Sequence, residues 1–203
     1  MARLRRRFAD RIEALDQTAW NTPSWCAGWR VRDVLAHLVS GAEATPLSMT
    51  RDILRSGLRP DRAVSEPAKR LSHVPVPELA DRLRMAAEGG FRPPGFPAAM
   101  GLGDVLVHCA DALRPIGLDV DAPPADAAPV LEAYWRRGRM VVHSAPQEGR
   151  CLVATDLDWT KGSGPEVRGK AMDLMLLVAN RLQVLPCLEG PGLDGLYEPP
   201  RDW

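Results

Sequence analysis

A chain of 203 residues with 26 basic against 26 acidic side chains and 45% hydrophobic content has the make-up of a soluble globular protein of one large or two small domains. Zero formal net charge offers no electrostatic footprint for a nucleic-acid or anionic-membrane partner. No apolar run nears the ~20 residues a bilayer span requires, and no apolar signal segment follows the basic start at Arg3 and Arg5 to Arg7, so a cytoplasmic setting is expected.

Helical periodicity dominates the first 115 residues. Phe8, Ile12 and Leu15 share one face of a first helix, with the arginines on its solvated side. Residues 23–29 form a tight loop. Val31, Val34, Leu35, Leu38, Val39 and Ala42 then mark the buried face of a second helix, which carries His37 at the edge of its apolar arc, about 60° from Val34. A short third helix is expected over 46–56, an irregular stretch over 59–75, and a fourth helix from Pro77 to about Glu88, stopped by Gly89 and Gly90. The Pro-rich stretch 92–97 leads into a fifth helix around His108, which ends near Pro115. These pieces amount to a four- or five-helix bundle over residues 1–118.

Asp, Ala and Pro dominate 119–129, which reads as a linker. Residues 130–203 read as a small α+β segment. It comprises a helix over 130–142, a hairpin pairing 150–155 with 158–160, a turn at 162–165, a long apolar helix over 167–185, and a Gly- and Pro-rich tail. Cys26, Cys109, Cys151 and Cys187 form no Cys-x-x-Cys pair, which speaks against a zinc knuckle or a redox dithiol. Cys109 points into the apolar stripe of its helix and reads as core. Cys26 precedes the His37 helix, where it either packs or approaches the site. His73 and His143 have no partners in spacing.

Asp104, His108 and Asp111 recur one turn apart on the fifth helix, beside the stripe formed by Leu102, Val105, Leu106, Cys109 and Leu113. Two readings follow from that spacing. Asp104 and His108 can share a metal ion, with His37 joining from the second helix and Asp111 orienting a ligand or handling a proton. Two imidazoles, one carboxylate and a position left for water or thiol suit a catalytic zinc site better than a closed structural one. Alternatively, a histidine cation sits between two carboxylates in a surface network worth a few tenths of a kcal/mol per pair.

The segment Trp25-Cys26-Ala27-Gly28-Trp29-Arg30-Val31-Arg32-Asp33-Val34-Leu35-Ala36-His37-Leu38 closely resembles the N-terminal signature of the mycothiol-dependent maleylpyruvate isomerase family, a branch of the DinB-like metal-binding helical bundles. Asp104, His108 and Asp111 resemble the family's second motif. Val153 to Trp159, Gly164-Pro165, Val167-Arg168-Gly169 and Asp173 to Arg181 resemble its C-terminal segment. The fold this implies is mainly α: a DinB-like up-down bundle followed by a small α+β segment.

The resemblance further implies a divalent metal, zinc foremost, held by His37, Asp104 and His108. A low-molecular-weight thiol, mycothiol in actinobacteria, acts there as cosubstrate, and the other partner is a small electrophile. The thiolate either adds to a conjugated double bond, permits rotation and leaves, or is transferred to the electrophile. The family places an arginine near the site where Arg181 stands. Arg181 either meets an anionic substrate or complements the helix dipole. Trp20, Trp25 and Trp29 either line a pocket or pack.

Two positions depart from the family pattern. Asp104 is one methylene shorter than the usual Glu, and Arg30 stands where Thr commonly caps the second helix. Outside the thiol chemistry, a non-enzymatic binding bundle and a metal-dependent hydrolase fit the same residues. A homodimer is expected on base rates.

Overall fold

A computed structural model of the chain describes residues 1–57, 59–90, 97–141 and 147–196. The Pro-rich stretch at 92–96, His143 and the end of the tail lie outside the described residues. The chain divides into two compact units, Met1–Asp121 and Ala122–Trp203.

The first unit is helical: α1 (Ala2–Glu13), α2 (Gln17–Asn21), α3 (Val31–Ala42), α4 (Pro46–Arg55), α5 (Pro60–Leu71), α6 (Val76–Met85) and α7 (Ala98–Leu113). The hub is α3, which packs against α5, α6 and α7. Val31, Val34, Leu35, Ala36, Leu38 and Val39 are all essentially inaccessible, so polar contact is confined to the ends of the helix and to His37. Each Val or Leu among them contributes roughly 1.5–3 kcal/mol on burial, which ties α3 to the helices packed around it. Arg30 supplies no capping oxygen, but Asp33 accepts the Arg30 backbone N–H at 2.8 Å and its guanidinium at 3.0 and 3.1 Å. The third residue of the helix thus offsets the missing cap.

Two helices depart from the sequence reading. The five-residue α2 follows the Asp16 cap, whose carboxylate accepts from the Ala19 N–H at 2.8 Å. The irregular stretch expected over 59–75 contains α5, which starts at Pro60, carries Pro67 inside it and lays Ala68 against the core. Proline within a helix removes one backbone bond and argues against helix locally. Packing on α3 outweighs that loss.

In the second unit, α8 (Pro124–Val141) begins inside the expected linker, so only 118–123 is irregular. The strands are β1 (Cys151–Ala154), β2 (Thr160–Gly162) and β3 (Glu166–Gly169), followed by α9 (Ala171–Val178). The expected hairpin forms, with β1 antiparallel to β2 and Val153 opposite Thr160, but its second strand is Thr160–Gly162 and not 158–160.

The long helix expected over 167–185 is contradicted. Its first turn is β3, parallel to β1 with Leu152 beside Val167, because the chain crosses under the start of β1 and pairs with its other edge. The Arg168 N–H and C=O both bond Glu189, which closes the outer edge of β3. The helix itself is only α9. It starts where Asp156 accepts the Ala171 N–H at 2.7 Å and stops at Asn180, whose φ of 62° is left-handed. Leu182–Cys187 continue as a 3₁₀ segment.

The crossover runs through Gly162 (φ 91°) and Gly164 (φ 118°), and a Cβ at Gly164 would overlap the Gly149 carbonyl oxygen. Gly164→Ala is expected to cost at least about 2 kcal/mol of stability, read from urea unfolding. A cost near zero would show that the crossover tolerates a side chain.

Among the described residues, no helix is long and apolar enough to cross a membrane.

Candidate metal centre

His37 is presented by the middle of α3, and Asp104 and His108 lie one turn apart on α7. The packing of α3 on α7 brings all three together, with donor atoms within 4.8 Å of one another. One carboxylate oxygen, Asp104 Oδ1, lies 3.5 Å from His37 Nε2 and 3.6 Å from His108 Nε2. Four ligands around a zinc-like ion at ~2.1 Å stand ~3.4 Å from one another along a tetrahedral edge. The two measured separations therefore match donors arranged around a common centre, and both are longer than a good hydrogen bond.

His37 sharpens that fit. Its imidazole is 5% exposed, and both ring nitrogens are buried without a hydrogen-bond partner. A polar group left this way costs roughly 1–3 kcal/mol, and a cation at Nε2 would supply the missing partner. Asp104 is about half-exposed, so solvent reaches the cluster from its side. The imidazoles of His37 and His108 meet edge to face with ring centroids 4.4 Å apart.

Behind His108 lies a second cluster. Asp111, completely buried, places Oδ2 3.1 Å from His108 Nδ1. The Cys26 thiol donates to that same Oδ2 at 3.0 Å and stands 3.5 Å from His108 Nδ1. The Trp25 N–H donates to the Asp111 backbone carbonyl at 2.9 Å. Trp29 stacks on His108 at 6.4 Å between centroids and tilts against His37 at 5.4 Å. Of the surface network that the spacing also allowed, only Asp104 is about half-exposed; Asp111 is inaccessible and the His108 side chain is 17% exposed.

The charges are strongly coupled. Burial works to raise the Asp104 carboxyl, but the adjoining His37 and His108 imidazoles and the Arg5 guanidinium outweigh it and hold it at about 2. Burial works to lower His108, and the bonds to Asp111 and Cys26 with the Asp104 charge push it up to about 10. Burial raises the Cys109 thiol, in keeping with a core residue that is 2% exposed.

Of the other sequence candidates, Trp20 caps the end of α1 through its indole N–H to the Ile12 carbonyl at 2.7 Å. The Arg114 guanidinium lies 5.8 Å above the Trp25 ring. Arg181 belongs to the second unit and donates to the Ala179 carbonyl at 2.8 Å, the helix-end arrangement. His73 is exposed. Spacing alone did not give Cys26 a place in the site; its neighbours lie 82 and 85 residues away.

Residues 1–92 match the family described as mycothiol maleylpyruvate isomerase N-terminal domain. Two crystal structures share the fold. One is a histidine-to-alanine mutant of a mycothiol-dependent maleylpyruvate isomerase, 15% identical with a TM-score of 0.55, covering 98% of this chain and 92% of its own. The other is a mycothiol-dependent maleylpyruvate isomerase, 16% identical with a TM-score of 0.52, covering 89% and 86%. No curated protein matches the chain in sequence. The family match thus covers residues 1–92, and the two crystal structures share the fold of nearly the whole chain.

Proposed function

We propose that this protein is a metal- and thiol-dependent isomerase or S-transferase, with mycothiol as cosubstrate and a small electrophile as substrate. His37, Asp104 and His108 would hold a divalent ion, zinc foremost. The observation that carries the reading is the convergence of three donors within 4.8 Å of one another, two of their separations at 3.5 and 3.6 Å and one donor a buried imidazole with no hydrogen-bond partner. When bound, the metal lowers the pKa of a coordinated thiol, and the thiolate is the nucleophile.

The chain's own residues then have distinct tasks. Asp111 accepts from His108 Nδ1 and so fixes the tautomer that leaves Nε2 free to ligate. Trp29 walls the imidazoles and limits water at that side. Asp104, on the open side, borders the approach taken by thiol and electrophile. In an isomerisation the thiolate sulfur adds to a conjugated double bond, the resulting single bond rotates, and the same sulfur departs as the double bond re-forms, with no net redox change. In a transfer the sulfur displaces a leaving group and stays on the product.

The test is turnover of cis-conjugated keto acids and of alkylating fluorophores, with and without mycothiol, before and after chelation. Turnover is expected to require both thiol and metal. Turnover that persists without thiol would make the protein a hydrolase. Bound metal with no turnover of any electrophile would leave the binding-module reading.

A further inference from the structure

The loop between α2 and α3 is closed by its own hydrogen bonds. The Ser24 hydroxyl accepts the Cys26 N–H at 3.1 Å and donates to the Trp29 carbonyl at 3.0 Å. The Trp29 N–H donates to the Cys26 carbonyl at 3.0 Å, and Gly28 takes the left-handed φ of 75° that lets so short a loop turn back. A loop bonded in this way holds Cys26 at one place and one orientation. Its thiol is aimed at Asp111, and the next bond, from Trp25 to the Asp111 backbone, ties the loop to the same residue of α7.

Two donors converge on one oxygen. Asp111 Oδ2 accepts from the Cys26 thiol at 3.0 Å and faces His108 Nδ1 at 3.1 Å. A carboxylate engaged by one donor can rotate about its last torsion; engaged by two from different elements, it is fixed. We infer that Cys26 is a positioning residue for His108, acting through Asp111. It holds the carboxylate that holds the imidazole, and so sets how His108 presents Nε2 beside Asp104. The inference rests on the metal reading above.

The competing role is that Cys26 is itself a ligand, since Cys26, His108 and Asp111 also lie within metal-binding reach of one another. The thiol–carboxylate distance favours the positioning role. Sulfur and nitrogen or oxygen around one zinc-like ion at ~2.3 and ~2.1 Å would stand ~3.6 Å apart. The thiol lies 3.0 Å from the carboxylate oxygen, which is a hydrogen-bond separation.

The experiment loads Co(II) into the full-length parent and into Cys26→Ser and Cys26→Ala, in the absence of any small thiol. It reads the Co(II) dissociation constant by chelator competition and the visible d–d bands. Cys26→Ala is expected to weaken Co(II) by roughly 10- to 100-fold and to move the d–d bands, as loss of an outer-shell partner does. Cys26→Ser keeps a donor at that place and is expected to restore both affinity and spectrum.

If Cys26→Ala fails to fold by far-UV circular dichroism, Ser24→Ala takes its place. It leaves the thiol but removes the hydroxyl that aims it, and is expected to weaken Co(II) in the same direction. Unchanged affinity and spectrum in a folded Cys26→Ala would overturn the inference. A sulfur-to-cobalt charge-transfer band in the parent that vanishes in Cys26→Ser would overturn it as well, by making Cys26 a ligand. A parent that binds no Co(II) instead sinks the metal reading itself, which keeps the two failures distinct.

Discussion

Replacing His37 by Ala is expected to strip bound metal while leaving the metal-free fold about as stable as the parent. The two halves of that result have separate causes. His37 Nε2 is one of three converging donors, 3.5 Å from Asp104 Oδ1, and no other described residue supplies a ligand atom in its place. Loss of a direct ligand is expected to exceed the roughly 100-fold ceiling seen for outer-shell changes. Stability behaves differently because both ring nitrogens are buried without partners. Truncation opens a cavity at the α3–α7 packing and at the same time removes two unsatisfied polar atoms. These terms oppose each other at about 1–3 kcal/mol each.

His108→Ala is the contrast. It takes the same metal away and also deprives the buried Asp111 carboxylate of its contact to Nδ1, so its metal-free form is expected to be clearly less stable than His37→Ala. Elemental analysis paired with urea unfolding reads both quantities. Stoichiometric metal retained in His37→Ala would remove that residue from the ligand set.

How much of this was legible in the sequence depends on range. The bundle was readable because α1, α3, α6 and α7 keep apolar residues at helical spacing, a signal local to each helix. Asp104, His108 and Asp111 were readable as one group for the same reason: they occupy a single helix face. The joining of His37 to them depends on α3 packing against α7, which no local pattern encodes. The precedent of metal sites built between helices of a bundle suggested that step and the family resemblance supported it; the matched region ends at residue 92, before α7 begins.

Cys26 could not be placed, because loop residues follow no periodicity and its aim is set by Ser24, Gly28 and a partner 85 residues on. The errors have the same origin. Pro67 masked α5 because tertiary packing overrode a local breaker. Residues 167–169 read as helix because Val167 precedes an apolar run, whereas pairing with β1 across a glycine crossover made them a strand.

Metal affinity is expected to rise by about tenfold per pH unit from His108 alone, across the range in which that imidazole must shed a proton to ligate. The sign follows from the metal-free site. There the His108 pKa is raised to about 10, against burial, by Asp111, Cys26 and Asp104. A raised folded-state value means that protonated His108 stabilises the metal-free protein fully below the unfolded value near 6.5, and that this contribution fades as pH rises through about 10.

A bound cation reverses the trend, because it takes the place of the proton between the imidazole and Asp104. Alkaline pH therefore weakens the metal-free form and strengthens the loaded one. The gap in melting temperature between loaded and chelated protein is expected to widen from pH 6 upward, read by paired thermal melts at fixed free zinc. Acid acts the other way. Asp104 is held down at about 2, so it still offers a carboxylate at pH 5, and the loss of metal there falls on His108. A gap that stays constant across this range would mean that no histidine proton leaves when metal binds, and His108 would not be a ligand.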